Sequence, residues 1–293
     1  MSRFDTISFL SDYGNTDEFV GVAKSVVRSI APDVAVIDIT HEIEPHDIRA
    51  GGLALARSVQ YLAPGVVLAV VDPGVATDRL AVAVEVADGA AYLVGPDNGL
   101  LAPAVSMVGG ATGAFVLDNP DYHLPAPGPT FAGRDVFAPM AAHLCNGVPL
   151  DELGTSIDPI KLKPGVLPVS QLEDDGSIVA EVLWVDRFGN AQLNVDPGDL
   201  ATWPAHVLIA GGRTERTALR VESYAQIATG AVGLVIDSYG LLSIAIDQGS
   251  AAFELQLEAG QEVRLNATDG PAVASSPVTL TAKPTTVNPE DGQ

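Results

Sequence analysis

A change of periodicity near residue 157 limits what this chain can fold into more than any other feature. Before it, short apolar runs alternate with stretches of helical period. Residues 6–10 (Thr-Ile-Ser-Phe-Leu), 34–39 and 66–71 are aliphatic and β-branched, as buried strands are. Phe19, Ala23, Val26, Val27 and Ile30 recur at the three- and four-residue spacing of a helix face. Residues 46–62 and 134–146 read as further helices, the second closing near Gly147, and 80–86 with 91–94 as a strand pair joined at Asp88-Gly89. Strands alternating with helices predict an α/β domain with a mainly parallel central sheet.

After the change only short strands remain, at 178–185, 192–195, 206–209, 231–236, 241–246 and 262–265, with no helical period among them. That pattern predicts a small antiparallel barrel or sandwich. Residues 158–176 hold three prolines and the run Glu173-Asp174-Asp175-Gly176 and read as a linker. The expected division is an α/β domain over 1–157, a linker over 158–176, a β domain over 177–268 and a flexible tail over 269–293, rich in Pro, Thr, Ser and Ala. A length of 293 residues suits two domains.

Charge narrows the choice of partners. A net charge of −22 repels the phosphates of nucleic acids and anionic membranes. It suits a cationic ligand, although an acidic proteome or simple solubility accounts for it equally. Cys145 is the only cysteine, so neither an intramolecular disulfide nor a thiolate metal site can form. It follows the apolar stretch 137–144 and reads as a small buried hydrophobe. No signal-like core follows the N-terminus, and no apolar run reaches the ~20 residues needed to cross a bilayer. The chain therefore reads as soluble and cytoplasmic.

The common nucleotide motifs, a Gly-x-Gly-x-x-Gly after the first strand or a Gly-Lys-Ser/Thr loop, are missing. Polar clusters instead follow the strands: Ser11-Asp12-Tyr13-Gly14, Asp38-Ile39-Thr40-His41, Val71-Asp72-Pro73-Gly74-Val75 and Gly95-Pro96-Asp97-Asn98-Gly99. Open α/β sheets bind ligands at those strand ends. One such Asp is ordinarily a helix cap or turn residue; four on one sheet edge point to a site. His41, His143 and His206 share no metal-ligand spacing, so no metal is expected.

These blocks, with Pro45-His46-Asp47-Ile48, Thr130-Phe131-Ala132-Gly133-Arg134-Asp135, Asp186-Arg187-Phe188-Gly189-Asn190 and Asp237-Ser238-Tyr239-Gly240, resemble the signatures of the S-adenosylmethionine hydroxide adenosyltransferase family. Its relatives are the fluorinase and chlorinase that make 5′-halo-5′-deoxyadenosine. The resemblance spans residues 7–265, in order and in both domains. It implies a seven-stranded α/β domain followed by a small β-barrel. It also implies a homotrimer in which substrate lies between one subunit's first domain and its neighbour's second. No cofactor is implied, S-adenosylmethionine itself being the substrate.

By the same resemblance Asp12 holds the ribose hydroxyls, as befits a two-oxygen acceptor facing a diol. Asp17 lines the methionine end or starts a helix, and His46 stands beside the ribose where halogenases carry Trp. Asn190 reads the adenine edge, with Phe188 and Tyr224 against the ring. Asp186 and Ser238 surround the methionine amino and carboxylate groups, with Tyr239 in the same block. Asp72 and Arg79 border the ribose 5′ carbon, as in the hydrolase branch. The alternative for that pair is a structural ion pair across a turn.

The chemistry favours a reactive role. The sulfonium releases methionine as a neutral thioether and needs no general acid, so what the reaction lacks is an aimed nucleophile. A carboxylate can polarise water and a guanidinium can fix the oxygen. Asp72 also disfavours a halide: a carboxylate ~4 Å away costs about 4 kcal/mol at an effective dielectric of ~20, offset in part by Arg79. One position departs from the pattern. The hydrolase branch has histidine in Thr-Phe-His-Gly-Arg-Asp, where this chain has Ala132. Either the third water contact comes from elsewhere, or the site is weakened, or the residue was altered by design. The expected activity is hydrolysis of S-adenosylmethionine to adenosine and methionine. The alternatives are a halide-using adenosyltransferase and a non-catalytic S-adenosylmethionine- or adenosine-binding module.

Overall fold

The computed structural model describes residues 3–211 and 214–270, in two compact units that divide between Val169 and Ser170. From residue 271 on, the tail expected over 269–293 lies outside the described residues.

The first unit runs β1 (Thr6–Ser11), α1 (Phe19–Ile30), β2 (Ala35–Thr40), α2 (Ile48–Ser58), β3 (Val66–Val70), β4 (Ala81–Val86), β5 (Ala91–Pro96), α3 (Ala102–Met107), β6 (Ala111–Val116), α4 (Ala138–Cys145), α5 (Leu150–Leu153) and β7 (Thr155–Ile157). Its seven strands lie in the order β2-β1-β3-β5-β4-β6-β7. The first four are mutually parallel. The remaining three extend the sheet through antiparallel pairings. Side chains of β3 alternate between the two faces, which is why every residue of it is apolar. Val66, Leu68 and Val70 pack with Val20, Ala23 and Val27 of α1 and Met140, Ala141 and Leu144 of α4. Val67, Ala69 and Val71 pack on the other side with Leu55 of α2 and Ala104 of α3. Truncating a residue such as Leu68 to Ala would cost about 2–5 kcal/mol.

Three local expectations change. The strand expected to be buried at 34–39 is β2, an edge strand with a single neighbour, and its Ile37 is 48% exposed. The helix expected from residue 46 begins at Ile48. His46 has φ +70°, outside the helical region, and the Asp47 carboxylate caps the helix by accepting from the Ala50 N–H at 2.8 Å. The helix expected from Arg134 opens instead with a π turn over Gly133–Phe137, where the Ala138 N–H reaches back to the Gly133 carbonyl.

The second unit holds β8 (Gln171–Leu172), β9 (Ile178–Val185), β10 (Ala191–Leu193), β11 (His206–Gly211), β12 (Thr214–Arg220), β13 (Val232–Ile236), β14 (Leu242–Ile246), α6 (Ala251–Leu255) and β15 (Glu262–Thr268). Strands β10-β14-β13-β12-β11-β15-β9 form a ring that β9–β10 pairing closes, so this is a seven-stranded barrel with β8 outside it. Every pairing is antiparallel except β12 with β13. Ile178, Ala180 and Val182 alternate into its core beside Val207, Ile209, Leu234, Ile244, Val263 and Leu265. Two elements carry no sequence signal. Strand β12 buries only Ala218 within a polar run, and α6 is too short for a period, starting at a cap in which Ser250 Oγ accepts from the Phe253 N–H.

Candidate functional site

Asp72 lies in the turn between β3 and β4, seven residues before Arg79. The turn is tied by the Val75 N–H to the Asp72 carbonyl and by the Thr77 hydroxyl, which donates to the Gly74 carbonyl at 2.6 Å. Ala76 takes a left-handed conformation there, φ +62°, a local strain that the surrounding bonds must hold. Arg79 Nε donates to both oxygens of Asp72, at 2.8 and 2.9 Å, and Nη2 donates to Oδ2 at 2.5 Å. The two side chains are only 11% and 6% exposed, and the guanidinium sits 5.0 Å from the Phe137 ring centroid. Breaking such a buried pair from one side typically costs about 3–5 kcal/mol. The guanidinium occupies one edge of a carboxylate that has roughly four acceptor positions. Asp72 can therefore take a further hydrogen bond from water. Behind it, Asn98 Nδ2 donates to the Val71 carbonyl at 2.8 Å and secures the strand end.

Asp12, Asp17, His46 and Asp72 line a single cleft of about 700 Å³, with Tyr13, Phe19, Phe131 and Ala132 on its walls. That is the size of a cavity for a nucleoside-scale ligand. Asp12 follows β1 as Asp72 follows the adjacent β3, which puts both carboxylates at one end of the parallel strands. Asp12 Oδ2 accepts from the His46 N–H at 2.9 Å, pinning the approach to α2 against β1. Helix α1 starts at Phe19 with no side-chain cap from Glu18, and Asp17 lines the cleft just before it.

Tyr13 was given no role by the sequence beyond its place in a motif. Its ring meets Phe19 and Phe131 at centroid distances of 5.7 and 5.6 Å, and those two rings are 5.1 Å apart. Burial, then the nearby Asp12 and Asp72 carboxylates, push its phenol well above the ordinary range, so it stays protonated. A Cβ at Gly133 would overlap the phenol oxygen. The glycine after Ala132 is the one sequence mark of that contact.

Only two of the four strand-end clusters open on the cleft. Asp38 pairs with Lys24 at 2.6 Å and with His41 at 3.1 Å, and Asp97 is buried, its Oδ1 accepting from the Lys163 N–H at 2.8 Å. Both are scaffold. Among the described residues no group of three His, Cys, Asp or Glu side chains is placed to hold a metal ion.

The other named residues lie in the barrel unit, on two hairpin loops of one design. Asp186 Oδ1 accepts from the Phe188 and Asn190 N–H groups, each at 2.9 Å, and Oδ2 accepts from Asn190 Nδ2 at 2.8 Å. Asp237 Oδ1 likewise accepts from the Tyr239 and Leu241 N–H groups, at 2.9 and 3.2 Å. The fourth residue of each loop is a left-handed glycine, Gly189 at φ +84° and Gly240 at φ +80°. Each loop leads directly into its strand, β10 or β14, and those two strands pair antiparallel. Phe188 and Tyr239, 79% and 43% exposed, project from equivalent positions, and Ser238 sits beside Tyr239. Burial, then the charges of Asp186 and Asp237, push the Tyr224 phenol up. The structure thus places Asp186, Phe188 and Asn190 on one hairpin loop, Ser238 and Tyr239 on the other, and Tyr224 in the turn after β12. Its addition is Asp237, whose Oδ2 accepts from Gln192 Nε2 at 2.5 Å. The repeated Asp-x-aromatic-Gly pattern is the signal that would have found it.

Comparison with known proteins agrees over both units. Residues 7–154 match the SAM hydroxide adenosyltransferase N-terminal domain and residues 180–264 the C-terminal domain of the same name. A Salinispora arenicola protein named (R)-S-adenosyl-L-methionine hydrolase is 41% identical over 91% of this chain and 100% of its own length. A Thermus thermophilus protein of that name is also 41% identical, over 88% and 98%. A fluorinase from Actinopolyspora mzabensis is 26% identical over 88% and 96%. Among solved structures, an uncharacterized conserved protein from Thermotoga maritima superposes with a TM-score of 0.81 at 33% identity, covering 88% of this chain and 99% of that one. With both domain models matched in order and relatives of such identity, the chain belongs to the SAM hydroxide adenosyltransferase family.

Proposed function

We propose that this protein hydrolyses S-adenosyl-L-methionine to adenosine and L-methionine. The carrying observation is Asp72, held edge-on by Arg79 in the cleft that Asp12 and His46 also line. A lone pair of water forms the new bond to the ribose 5′ carbon. The carbon–sulfur bond breaks with its electron pair staying on sulfur, and methionine departs as a neutral thioether. Asp72 accepts one water hydrogen and so aims the oxygen, and the proton passes on to solvent. Arg79 fixes the carboxylate and balances its charge. Positioning of this kind is worth far more inside a shaped cleft than in bulk water. The leaving group is already cationic before the step and neutral after it, so the reaction as proposed needs neither metal nor cofactor.

The Asp72 carboxylate supports water over halide as the nucleophile, since an anion beside it pays the like-charge repulsion. Asp12 serves the ribose hydroxyls, Asp17 the methionine end and His46 the ribose flank. In the barrel unit Asn190, Phe188 and Tyr224 serve the adenine, and Asp186, Ser238 and Tyr239 the amino-acid end. We infer a cytoplasmic homotrimer in which a neighbouring subunit supplies the second set; no helix of the described residues is long and apolar enough to cross a membrane.

The relatives' names specify the R configuration at sulfur, so the test uses both epimers. Purified protein is incubated with each, with and without chloride, and the products are separated by chromatography. Adenosine in both arms supports hydrolysis. 5′-Chloro-5′-deoxyadenosine would make the enzyme a halogenase, and unchanged substrate would leave a binding module. Light scattering checks the trimer, and a fully active monomer would remove it.

A further inference from the structure

Water offers two hydrogens and, once one lone pair is committed to carbon, needs two acceptors to fix its direction. Asp72 supplies one. Arg79 carries only donors and cannot supply the other. Position 132 presents a methyl group to the cleft. The hydroxyl of Tyr13 is the remaining candidate. It shares the cleft wall with Asp72, lies over Gly133, the residue next to Ala132, and occupies space that a side chain at 133 would fill.

The ring is held from several sides. Phe131 packs against it edge-on and Phe19 at a tilt, its own N–H donates to Ser11 Oγ at 3.3 Å, and the next N–H, of Gly14, donates to the His41 carbonyl at 2.7 Å. Tyr13 and Asp72 line the same cleft, and the fields of Asp72 and Arg79 both act on the phenol. A protonated phenol still has acceptor lone pairs on its oxygen.

We propose that the Tyr13 hydroxyl is the second acceptor for the attacking water, taking in this chain the place that a side chain at position 132 does not fill. The proposal rests on the hydrolase reading above. It makes Tyr13 a participant through the nucleophile, not through substrate affinity.

The test is single-turnover cleavage of S-adenosylmethionine by the full-length protein and two variants. Tyr13→Phe keeps the ring and its packing and removes one oxygen. Gly133→Ala keeps the hydroxyl and displaces it. Each should slow adenosine formation by about 10-fold or more, the scale of one well-placed hydrogen bond, with the dissociation constant for substrate within about threefold of wild type. A chemical step within twofold of wild type in either folded variant overturns the proposal. So does a slowdown matched by an equal loss of affinity, which would mark a merely structural role. If one variant does not fold, the other decides alone. Absence of adenosine from the unaltered protein would sink the hydrolase reading itself, whereas an active parent with an unchanged Tyr13→Phe sinks only this assignment.

Discussion

Ser11 Oγ lies 2.7 Å from Nδ1 of His41, and both residues are buried directly behind the loop that carries Asp12 and Tyr13. The other ring nitrogen of His41 lies 3.1 Å from Asp38 Oδ1. A carboxylate only accepts, so Nε2 carries the hydrogen in the neutral ring and Ser11 donates to Nδ1. The chain Ser11–His41–Asp38 has the connectivity of a serine nucleophile and its base. Ser11 is fully enclosed, however, and no substrate could reach its oxygen. Its work is to hold the loop, by accepting from the Tyr13 N–H. Ser11→Ala should leave the imidazole nitrogen unpaired and lower stability by about 1–3 kcal/mol, while adenosine formation falls less than about 10-fold. Thermal melting and steady-state assays check this; a loss of activity above a thousandfold would restore a nucleophilic role.

Asp72→Asn keeps the shape of the side chain and removes the charge that polarises water. Positioned acid–base groups contribute roughly 10²–10⁴-fold. The chemical step should fall by that order, with substrate affinity within about 10-fold. A variant keeping more than half of wild-type turnover would take Asp72 out of the mechanism.

Gly133→Ala places a methyl group against the Tyr13 oxygen, so it should cost about 1–3 kcal/mol through overpacking. Removing that oxygen relieves most of the conflict. The double variant Gly133→Ala/Tyr13→Phe should therefore be more stable than the sum of its parts, as measured in a urea-denaturation cycle. Strict additivity would mean that the two groups do not meet.

Asp38 makes acid stability partly a property of this loop network. Burial pulls its carboxyl upward, but hydrogen bonds from Lys24 and His41 outweigh that and hold it below the ordinary value. A group whose folded value is lowered stabilises the fold above its unfolded value, near pH 3.9. That contribution is lost as pH falls through the folded value. Denaturation midpoints between pH 5 and pH 3 should fall less steeply for Asp38→Asn than for the wild type. Parallel curves would show that Asp38 is not part of the acid response.

Burial, with Asp5 nearby, pushes the Cys145 thiol up to about 12, and its side chain is enclosed against the end of β1. A thiol so protonated is a poor nucleophile. Iodoacetamide should modify it only at the rate of unfolding. Rapid alkylation of the native protein would contradict the packing around α4.

Most of the architecture was legible because burial on two faces leaves a compositional mark. β3 is apolar throughout since it serves two cores, and β9 alternates since it serves one. Strand β12 left no mark, because its pairing is satisfied by backbone while six of its seven side chains remain at least partly exposed. The ion pair of Asp72 and Arg79 was legible as a spacing, since the turn that joins them is local. The Tyr13–Gly133 contact was not, because 120 residues separate its partners and a glycine advertises only an absence. Position 97 shows the opposite failure: Asp97 sits at a strand end as Asp72 does, yet it faces a backbone N–H of residue 163.

The π turn at Gly133–Phe137 fixes the length of this segment as firmly as its shape. It sets one residue more between Tyr13's contact at Gly133 and Arg79's contact at Phe137 than a regular helix would allow. Removing any residue from that stretch would regularise the helix. A deletion would be absorbed by the bulge, so the flanking chain would keep its place while Gly133 and Phe137 would no longer both meet Tyr13 and Arg79. An inserted residue, with no further bulge to take it up, would rotate what precedes it by about 100° and shift it by about 1.5 Å, carrying position 132 off the cleft wall. The wall can thus be rewritten letter by letter but not respaced, and descendants of this sequence can explore its chemistry by exchanging the side chain at 132 far more readily than by lengthening or shortening the loop that presents it.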